Sequence, residues 1–505
     1  MPGPVATARG QQRRQRHHQQ QRARHPSASR SHLPPPIRPP TVAPAPPSVA
    51  PCFPGASRNG GDMQGDLSER YAGHRRRAVP APDPELTQVG PGTPCGEYLR
   101  RAWQPVCLSA QLADLPLALR ILGEDLVAFR DGEGAVGLLH RHCSHRGASL
   151  EFGRIMPRGI SCCYHGWHYD RDGTILATPA EPESSQIRHR LRHGAYPVVE
   201  RHGLVFAFLG DPAAVPPPPV LDVEQEPGVT LAPFLLEIPC NWLQVYENSQ
   251  DPVHVVWLHA RNAGAHFDES NSAEQELDFM PTPLGMMNVQ SRRWGGMVWT
   301  RTVECILPNL NQTGAIWEDA AEAKPFQRVG LTRWVVPVDD THSLQIGWRH
   351  LGAHLDPHGK DRPDRIGLGL IDFEGQDDSA SYADRQRRPG DYDAQVSQRT
   401  VAVHALENLA GSDRGVAMLR RLLRRALRSP DMPAQCVAPQ PIATFCQDTI
   451  TPLPPAPDDR ALLRAHGAAV ARAVLDSADL PREARRIAIS AAASGTSLPN
   501  EETSA

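Results

Sequence analysis

Hydrophobic and polar positions change period several times along the chain. Residues 1–61 have no period: Arg, Gln, His, Pro, Ser and Ala dominate, and so few large apolar side chains cannot offset the ordering entropy. A disordered basic, Pro-rich leader is expected over 1–62. Residues 63–103 follow as an N-terminal segment in which order begins near Glu85 and Thr93–Trp103 forms a short helix opened by Thr-Pro. From Leu117 to Leu139 the alternation is that of strands, with Asp131-Gly-Glu-Gly134 as a hairpin turn. Asp170-Arg-Asp-Gly173 is a second hairpin signal, and Gly203–Leu209 is a buried strand. Pro216–Pro219 is a stiff linker, so residues 104–215 are predicted to form a small β-rich domain.

A second domain is predicted over 220–450, with strands at Gly296–Ile306, Gly330–Val338 and Ser343–His350. Asp384–Asp391 has the composition of a polar loop. Ala394–Leu427 then shows helical period, with apolar points at Val401, Ala405, Leu409, Val416, Leu419 and Leu423. Residues 451–505 are predicted to hold an amphipathic helix at Arg460–Leu475 and a tail whose last dozen residues fray. No internal repeat is evident.

Two ligand boxes interrupt the β pattern of the first domain: Cys143-x-His145, then sixteen residues, then Cys162-x-x-His165. Two thiolates and two imidazoles suit a [2Fe–2S] cluster with His₂ replacing Cys₂ on one iron, and they also suit tetrahedral zinc. Glycine just past each histidine predicts tight loops. Tyr164 and Trp167 read as shields against water, and Cys163, off register, as packing. A second constellation lies at Asp251-Pro252-x-His254-x₄-His259. Histidines five apart do not share a face of a regular helix, so this pair needs a distorted or ending one. Asp251-Pro252 is also a plain helix start, with Asp as N-cap and Pro first in the helix.

Charge adds exclusions. The nine Arg of the acid-free residues 1–61 leave 44 basic against 56 acidic residues elsewhere, a net of −12, which argues against a nucleic-acid partner. Only Lys324 and Lys360 are lysines. No apolar run reaches the length of a membrane span, and ten cysteines in 505 residues are not a disulfide framework; a reducing cytoplasm is the simplest compartment. The leader lacks a secretory h-region. It fits a transit peptide, an extension upstream of a start at Met63, or a solvated basic arm.

Cys143-Ser-His145-Arg-Gly-Ala and Cys162-Cys-Tyr-His165-Gly-Trp resemble the two boxes of Rieske non-haem iron aromatic ring-hydroxylating oxygenases. The family more often has Pro where this chain has Ser144. Glu247-Asn-x-x-Asp251-Pro-x-His254-x₄-His259 resembles the mononuclear-iron motif of the same alpha (oxygenase) subunits. Val336-Pro-Val-Asp-Asp-Thr-His342 is similar to the phthalate-dioxygenase-like branch. The resemblance runs from about Gly90 to about Arg425. It implies an α+β fold: a small antiparallel-β Rieske domain, and a larger catalytic domain whose antiparallel sheet curves around helices in a helix-grip, START-like arrangement.

The resemblance also implies one [2Fe–2S] cluster on Cys143, His145, Cys162 and His165, and one non-haem Fe(II) on His254, His259 and a downstream carboxylate. Pro389-Gly-Asp391-Tyr-Asp-Ala-Gln395-Val-Ser397 resembles the segment in which the ligand precedes a long helix, which selects Asp391 over Asp372, Asp377, Asp378, Asp384 and Asp393. Asp251 falls where the family bridges His254 to a cluster histidine of a neighbouring subunit. Asn248 and Tyr246 either approach the iron or pack in the core. Partners so implied are an aromatic substrate, O₂, and a separate reductase or ferredoxin using NAD(P)H, in a homotrimer or a dimer of trimers. The chain shows no nucleotide-binding glycine fingerprint of its own. Arg141, Arg146, Arg154 and Arg158 are either solvated or face an acidic redox partner. The products expected are those of hydroxylation, dihydroxylation or O-dealkylation. An electron carrier without oxygenase activity would need only the first domain, and a zinc module neither iron.

Overall fold

The computed structural model describes residues 79–262, 266–429 and 441–495; the leader at 1–62 and the tail beyond 495 lie outside them. Two short helices open the described chain, α1 (Pro84–Thr87) and α2 (Pro94–Arg100). Each starts on proline after an acceptor: Asp83 takes the N–H of Glu85, and Thr93 that of Gly96. The predicted helix ends at Arg100, because Trp103 already lies in a strand, β1 (Trp103–Leu108).

Next come β2 (Leu117–Ile121), β3 (Glu124–Arg130) and β4 (Val136–His140), paired antiparallel. The β3–β4 turn holds the predicted Asp131–Gly134. The β2–β3 turn, not foreseen, is Leu122-Gly123, both at positive φ as a two-residue hairpin with right-handed strand twist requires. Four two- or three-residue strands form a second sheet: β5 (Arg154–Ile155), β6 (Ile160–Ser161), β7 (His168–Tyr169) and β8 (Ile175–Ala177). A short helix, α3 (Ile187–Arg190), leads to β9 (Ala195–Tyr196), which joins β4; β10 (Val198–Arg201) and β11 (Leu204–Phe208) pair and bring in β1.

The larger sheet is antiparallel throughout. Its strands are β12 (Thr230–Ile238), β13 (Gln275–Thr282), β14 (Gly285–Trp294), β15 (Met297–Ile306), β16 (Leu310–Thr313), β17 (Lys324–Gln327), β18 (Leu331–Pro337), β19 (Ser343–Leu351) and β20 (Gln447–Pro452), in the spatial order β12-β19-β18-β16-β15-β14-β13 with β20 bridging β15 and β17. Alternation along β14 shows why both faces are covered. Met286 packs in the main core with Leu419 and Leu423, whereas Met287 and Val289 pack with Val470 and Val474 on the other face. The covering helices are α4 (Trp242–Glu247), a π-helix (Val255–Asn262), α5 (Tyr382–Arg387), α6 (Asp391–Ser397), α7 (Arg414–Arg428), α8 (Asp459–Asp476) and α9 (Arg482–Ser494). The fold is α+β. Pro216–Pro219 joins two parts that share one hydrophobic core, in which Phe206 of β11 meets Trp334 and Trp348. Among the described residues no helix is long and apolar enough to cross a membrane.

Three expectations change. The helical period over Ala394–Leu427 belongs to two helices, α6 and α7, not one. The break is held by Gln244, whose amide donates to the carbonyls of Gln395 (2.7 Å) and Arg399 (2.9 Å) and accepts from Ala402 N–H (2.8 Å). Arg399 sits at φ 89°, incompatible with a continuing helix. The polar stretch Asp384–Asp391 is partly helical, because Ser381 caps α5 through Asp384 N–H. Finally, α9 ends at Ser494, so ordered helix persists to where fraying was expected to begin.

α7 is tied to α4 by a buried ion pair. Arg420 donates through Nη2 to Glu247 Oε2 (2.7 Å) and to Glu407 Oε1 (2.9 Å). Removing one member of such a pair strands the other charge in the core. Arg420→Met should therefore lower the unfolding free energy by about 3–5 kcal/mol in denaturant titration, and Glu247→Gln added to it should recover part of that loss.

Candidate metal centres

The first pair of boxes lies on two matching loops at one end of the small sheets. Cys143 N–H bonds Ala148 O (2.9 Å) and Gly147 N–H returns to Cys143 O (2.8 Å); Cys162 N–H bonds Trp167 O (2.8 Å) and Gly166 N–H returns to Cys162 O (3.0 Å). Both glycines have positive φ, as the closed loops demand. The imidazoles of His145 and His165 meet edge to face with centroids 4.6 Å apart. Trp167, buried, stacks on His145 at 4.7 Å and 3°. Tyr164 lies over His165 at 3.9 Å yet is 58% exposed, so it covers one ring face without sealing the loop. Tyr169 Oη, not foreseen, lies 2.9 Å from Cys143 Sγ.

The cysteines are buried and unbridged, while both histidines are half-buried. Burial, opposed by the N–H groups of Tyr164 and His165 and reinforced by the Cys143 sulfur, pushes the Cys162 thiol up. A thiolate at Cys162 is therefore favoured by positive charge beside it. His145 Nδ1 is buried without a protein partner. Unbridged sulfurs and an orphaned ring nitrogen fit a thiolate–imidazole cluster or ion. Cys163 does not pack as expected: it is exposed, because its neighbour Cys162 takes the inward position. Among the arginines, Arg141 pairs with Asp125 (2.9 Å) and Arg158 with Asp170, while Arg146 lies over Tyr164 at 5.6 Å.

The second constellation gathers on the larger sheet. α4, capped by Asn241, leads through one 3-10 turn to Asp251, Pro252 and the π-helix. The i→i+5 ladder of a π-helix brings residues five apart onto one face, which is the distortion that His-x₄-His required. His254 Nδ1–H donates to the Asp251 carbonyl, so its Nε2 faces inward. His259 Nε2 lies 3.1 Å, and His254 Nε2 3.5 Å, from Asp391 Oδ1.

Asp391 reaches this point because Gly390 packs against Gly375: a Cβ on Gly390 would sit 2.1 Å from Gly375 Cα. The same contact delivers Gln376, whose Nε2 donates to Asp391 Oδ2 (2.8 Å). Asn248 Nδ2 donates to Oδ1 (3.0 Å). The other candidate aspartates are engaged elsewhere: Asp372 with Arg349, Asp377 with Ser379, Asp378 with Tyr392, Asp384 with Ser381, and Asp393 with Arg385. Asn248 is thus at the site, whereas Tyr246 is core, donating to Ile306 O (3.0 Å).

Among the described residues, His254, His259 and Asp391 are the one group whose ligand atoms all fall within 4.8 Å of one another. Burial works against the Asp391 charge, but both imidazoles and Gln376 outweigh it and hold the carboxyl well below its usual range. Burial, with the His259 ring, pulls His254 down against the opposing pull of Asp391. His254 Nδ1 is engaged by the Asp251 carbonyl, which leaves Nε2 toward the Asp391 carboxylate. Two imidazoles and one carboxylate converging in this way fit divalent iron. Burial raises the Asp251 carboxyl, against the opposing charge of His254.

Sequence reasoning missed His266 and Gln376. His266 Nδ1 lies 3.0 Å from His259 Nδ1 and fixes that ring. These two share no spacing with the ligands, so no local signal marks them. The donors open on a cavity enclosing about 650 Å³ of empty space, partly continuous with solvent, with Val255, Phe267, Val303, Ile316, Leu331 and Phe373 as its apolar wall.

Residues 102–195 match the Rieske [2Fe–2S] domain family. Over 388 residues the chain is 45% identical to the tert-butanol monooxygenase / tert-amyl alcohol desaturase oxygenase subunit of Aquincola tertiaricarbonis, covering 73% of this chain and 82% of that protein. It is 38% identical to the phenoxybenzoate dioxygenase subunit alpha of Ectopseudomonas oleovorans over 72% of this chain and 88% of that one. The crystal structure of dicamba monooxygenase bound to dicamba shares the fold, with a TM-score of 0.51 and 19% identity over 65% of this chain and 98% of that one.

Asp391→Asn should weaken Co(II) binding, followed by ligand-field absorbance, by at least about 10–100-fold, the loss that even an outer partner of a ligand causes. Asp393→Asn should bind Co(II) as wild type does. Equal affinities in the two variants would remove Asp391 from the donor set.

Proposed function

The chain belongs to the Rieske non-haem iron ring-hydroxylating oxygenases as an oxygenase subunit, and from that premise we propose that residues 104–215 hold its [2Fe–2S] cluster through Cys143, His145, Cys162 and His165, and residues 220–450 its mononuclear iron through His254, His259 and Asp391. It is the oxygenase component of a multicomponent system that draws electrons from a separate reductase or ferredoxin. When bound, the two groups supply one-electron storage and O₂ activation. The observation that carries the site is the convergence of two imidazoles and one carboxylate on a single point. A carrier or a zinc module leaves that convergence without a use.

The chain's own side chains do the rest. Asn248 and Gln376 hold the two oxygens of Asp391, and His266 holds the His259 ring, so the donors are fixed before any metal arrives. The apolar wall excludes water, and the rings of Phe267 and Phe373, 5.8 Å apart, offer a surface for an aromatic substrate. The reaction is hydroxylation, dihydroxylation or O-dealkylation of that substrate. Of the two relatives, the phenoxybenzoate enzyme suits such a wall better than the tert-butanol enzyme.

The subunit works as a homotrimer or a dimer of trimers. Two features support this: the cluster histidines are half-buried, so their rings reach the surface, and Asp251 stands at the other site with His254 bonded to its carbonyl. A carboxylate between His254 and a neighbouring subunit's cluster histidine holds both tautomers. Cytoplasmic location is supported by the absence of disulfides at the described cysteines.

The test uses purified chain, a surrogate NADH-fed reductase, ¹⁸O₂ and a panel of aromatic substrates read by mass spectrometry. Wild type should give ¹⁸O-labelled product. His254→Ala should keep the visible cluster spectrum and form none; undiminished product from that variant would contradict the site. Asp251→Asn should keep both metals and lose about 10–100-fold in product formation, as expected for a partner that orients a ligand. An unchanged rate would leave Asp251 as a helix cap alone.

A further inference from the structure

One buried imidazole outside both donor sets ties the two ligand loops together. His193 lies between α3 and β9 and is buried. Its Nε2 donates to the carbonyl of His140 (2.7 Å), at the end of β4 just before the first box. Its Nδ1 lies 2.6 Å from the Ser144 hydroxyl, inside that box. Its backbone N–H donates to Gly173 O (2.8 Å), in the turn after the second box. The ring of Tyr169, on β7, lies against its imidazole with centroids 4.5 Å apart. Burial lowers the His193 pKa, which favours the ring form whose Nδ1 accepts from Ser144.

Tyr169 carries this tie to the ligands. Its hydroxyl lies 2.9 Å from Cys143 Sγ, and a sulfur that ligates metal has no proton of its own, so the hydroxyl is the donor. Burial and the Cys143 sulfur raise the pKa of that hydroxyl, and the Ser144 N–H works against the rise, which sets Ser144 beside it. A hydrogen bond to a ligand sulfur favours the more negative, reduced cluster, and such bonds are among the settings of its potential. Ser144 stands between the two ligands of the first box, where the family more often has Pro. Proline would stiffen that backbone through its ring but has no hydroxyl to offer His193. Here the loop is held instead by a side chain 49 residues further along the chain.

We propose that Ser144 and His193 are positioning residues of the cluster site: their bond holds the first loop against Tyr169, keeps the hydroxyl on Cys143 Sγ and thereby raises the cluster's reduction potential. The inference rests on the proposed cluster donors Cys143, His145, Cys162 and His165, and its readout is a potential, independent of turnover. Without the bond, the loop and the Tyr169 ring lose their common support, and a hydrogen bond weakens steeply as its geometry drifts. A role confined to folding would alter stability and leave the potential of the assembled cluster where it was.

Redox titration of the purified full chain, followed by the visible spectrum and by EPR of the reduced cluster, tests this. Tyr169→Phe sets the scale: it should lower the one-electron reduction equilibrium constant about tenfold, or about 59 mV. Ser144→Ala should lower it about threefold, or about 28 mV, and Ser144→Thr, which keeps a hydroxyl, should stay with wild type. In the Tyr169→Phe background, Ser144→Ala should add little further shift, because the hydroxyl through which it acts is gone. Where Ser144→Ala does not hold the cluster, His193→Phe removes the same bond from its other side and should give the same fall. A wild-type potential in the cluster-bearing Ser144→Ala and His193→Phe variants, or an undiminished Ser144→Ala shift in the Tyr169→Phe background, would overturn the assignment. Failure of the cluster donors themselves would show instead as a wild-type chain without a reducible [2Fe–2S] spectrum.

Discussion

Two imidazole nitrogens and a carboxylate oxygen converge within 4.8 Å of one another, and His254 Nδ1 is already engaged by the Asp251 carbonyl. Gathering three polar groups away from water is costly. The arrangement persists because the surroundings fix every other hydrogen-bonding atom of the three groups. The Asp251 carbonyl takes the His254 proton, His266 takes the far side of His259, and Asn248 and Gln376 occupy the carboxylate oxygens. The stability of a folded core is used to hold three groups that could bind a metal ion.

The rest of the catalytic part follows from delivering those groups. The π-helix reconciles a five-residue spacing with a shared face. The Gly375–Gly390 contact brings a distant helix start against it. Gln244 breaks what would have been one long helix, so that α6 can end after seven residues and leave Asp391 at its inward tip. The Arg420–Glu247 pair then locks α7 behind α4. The small sheets serve a different end. Their two loops, of nearly identical backbone pattern, present two sulfurs from the inside and two half-buried rings.

How much was legible in the chain depends on whether the relevant contacts are local. Both cluster boxes are local motifs, and their loops, glycines and neighbouring Trp167 were readable. The hairpin at Asp131–Gly134 and three of the nine strands of the large sheet, β15, β18 and β19, were readable for the same reason, since period-2 patterning is local. The need for a distorted helix at His254–His259 followed from spacing alone. Asp391 came from a family likeness, not from physics visible in the sequence; it is distinguished from Asp393 only by what surrounds each in three dimensions. The break between α6 and α7 was invisible because the apolar period continues across it while Gln244, about 150 residues earlier, captures the backbone. His266 and Gln376 were invisible for the same reason: their roles are contacts between distant strands and loops.

The central claim is that one chain carries both a cluster and a separate mononuclear iron. Iron and acid-labile sulfide counted per chain test it most directly. The account predicts the two irons and two sulfides of one [2Fe–2S] cluster plus one further iron, which mild chelation removes while the visible spectrum stays. Two irons and two sulfides with nothing further to remove would describe an electron carrier, and zinc without sulfide a structural module; either result would contradict the account.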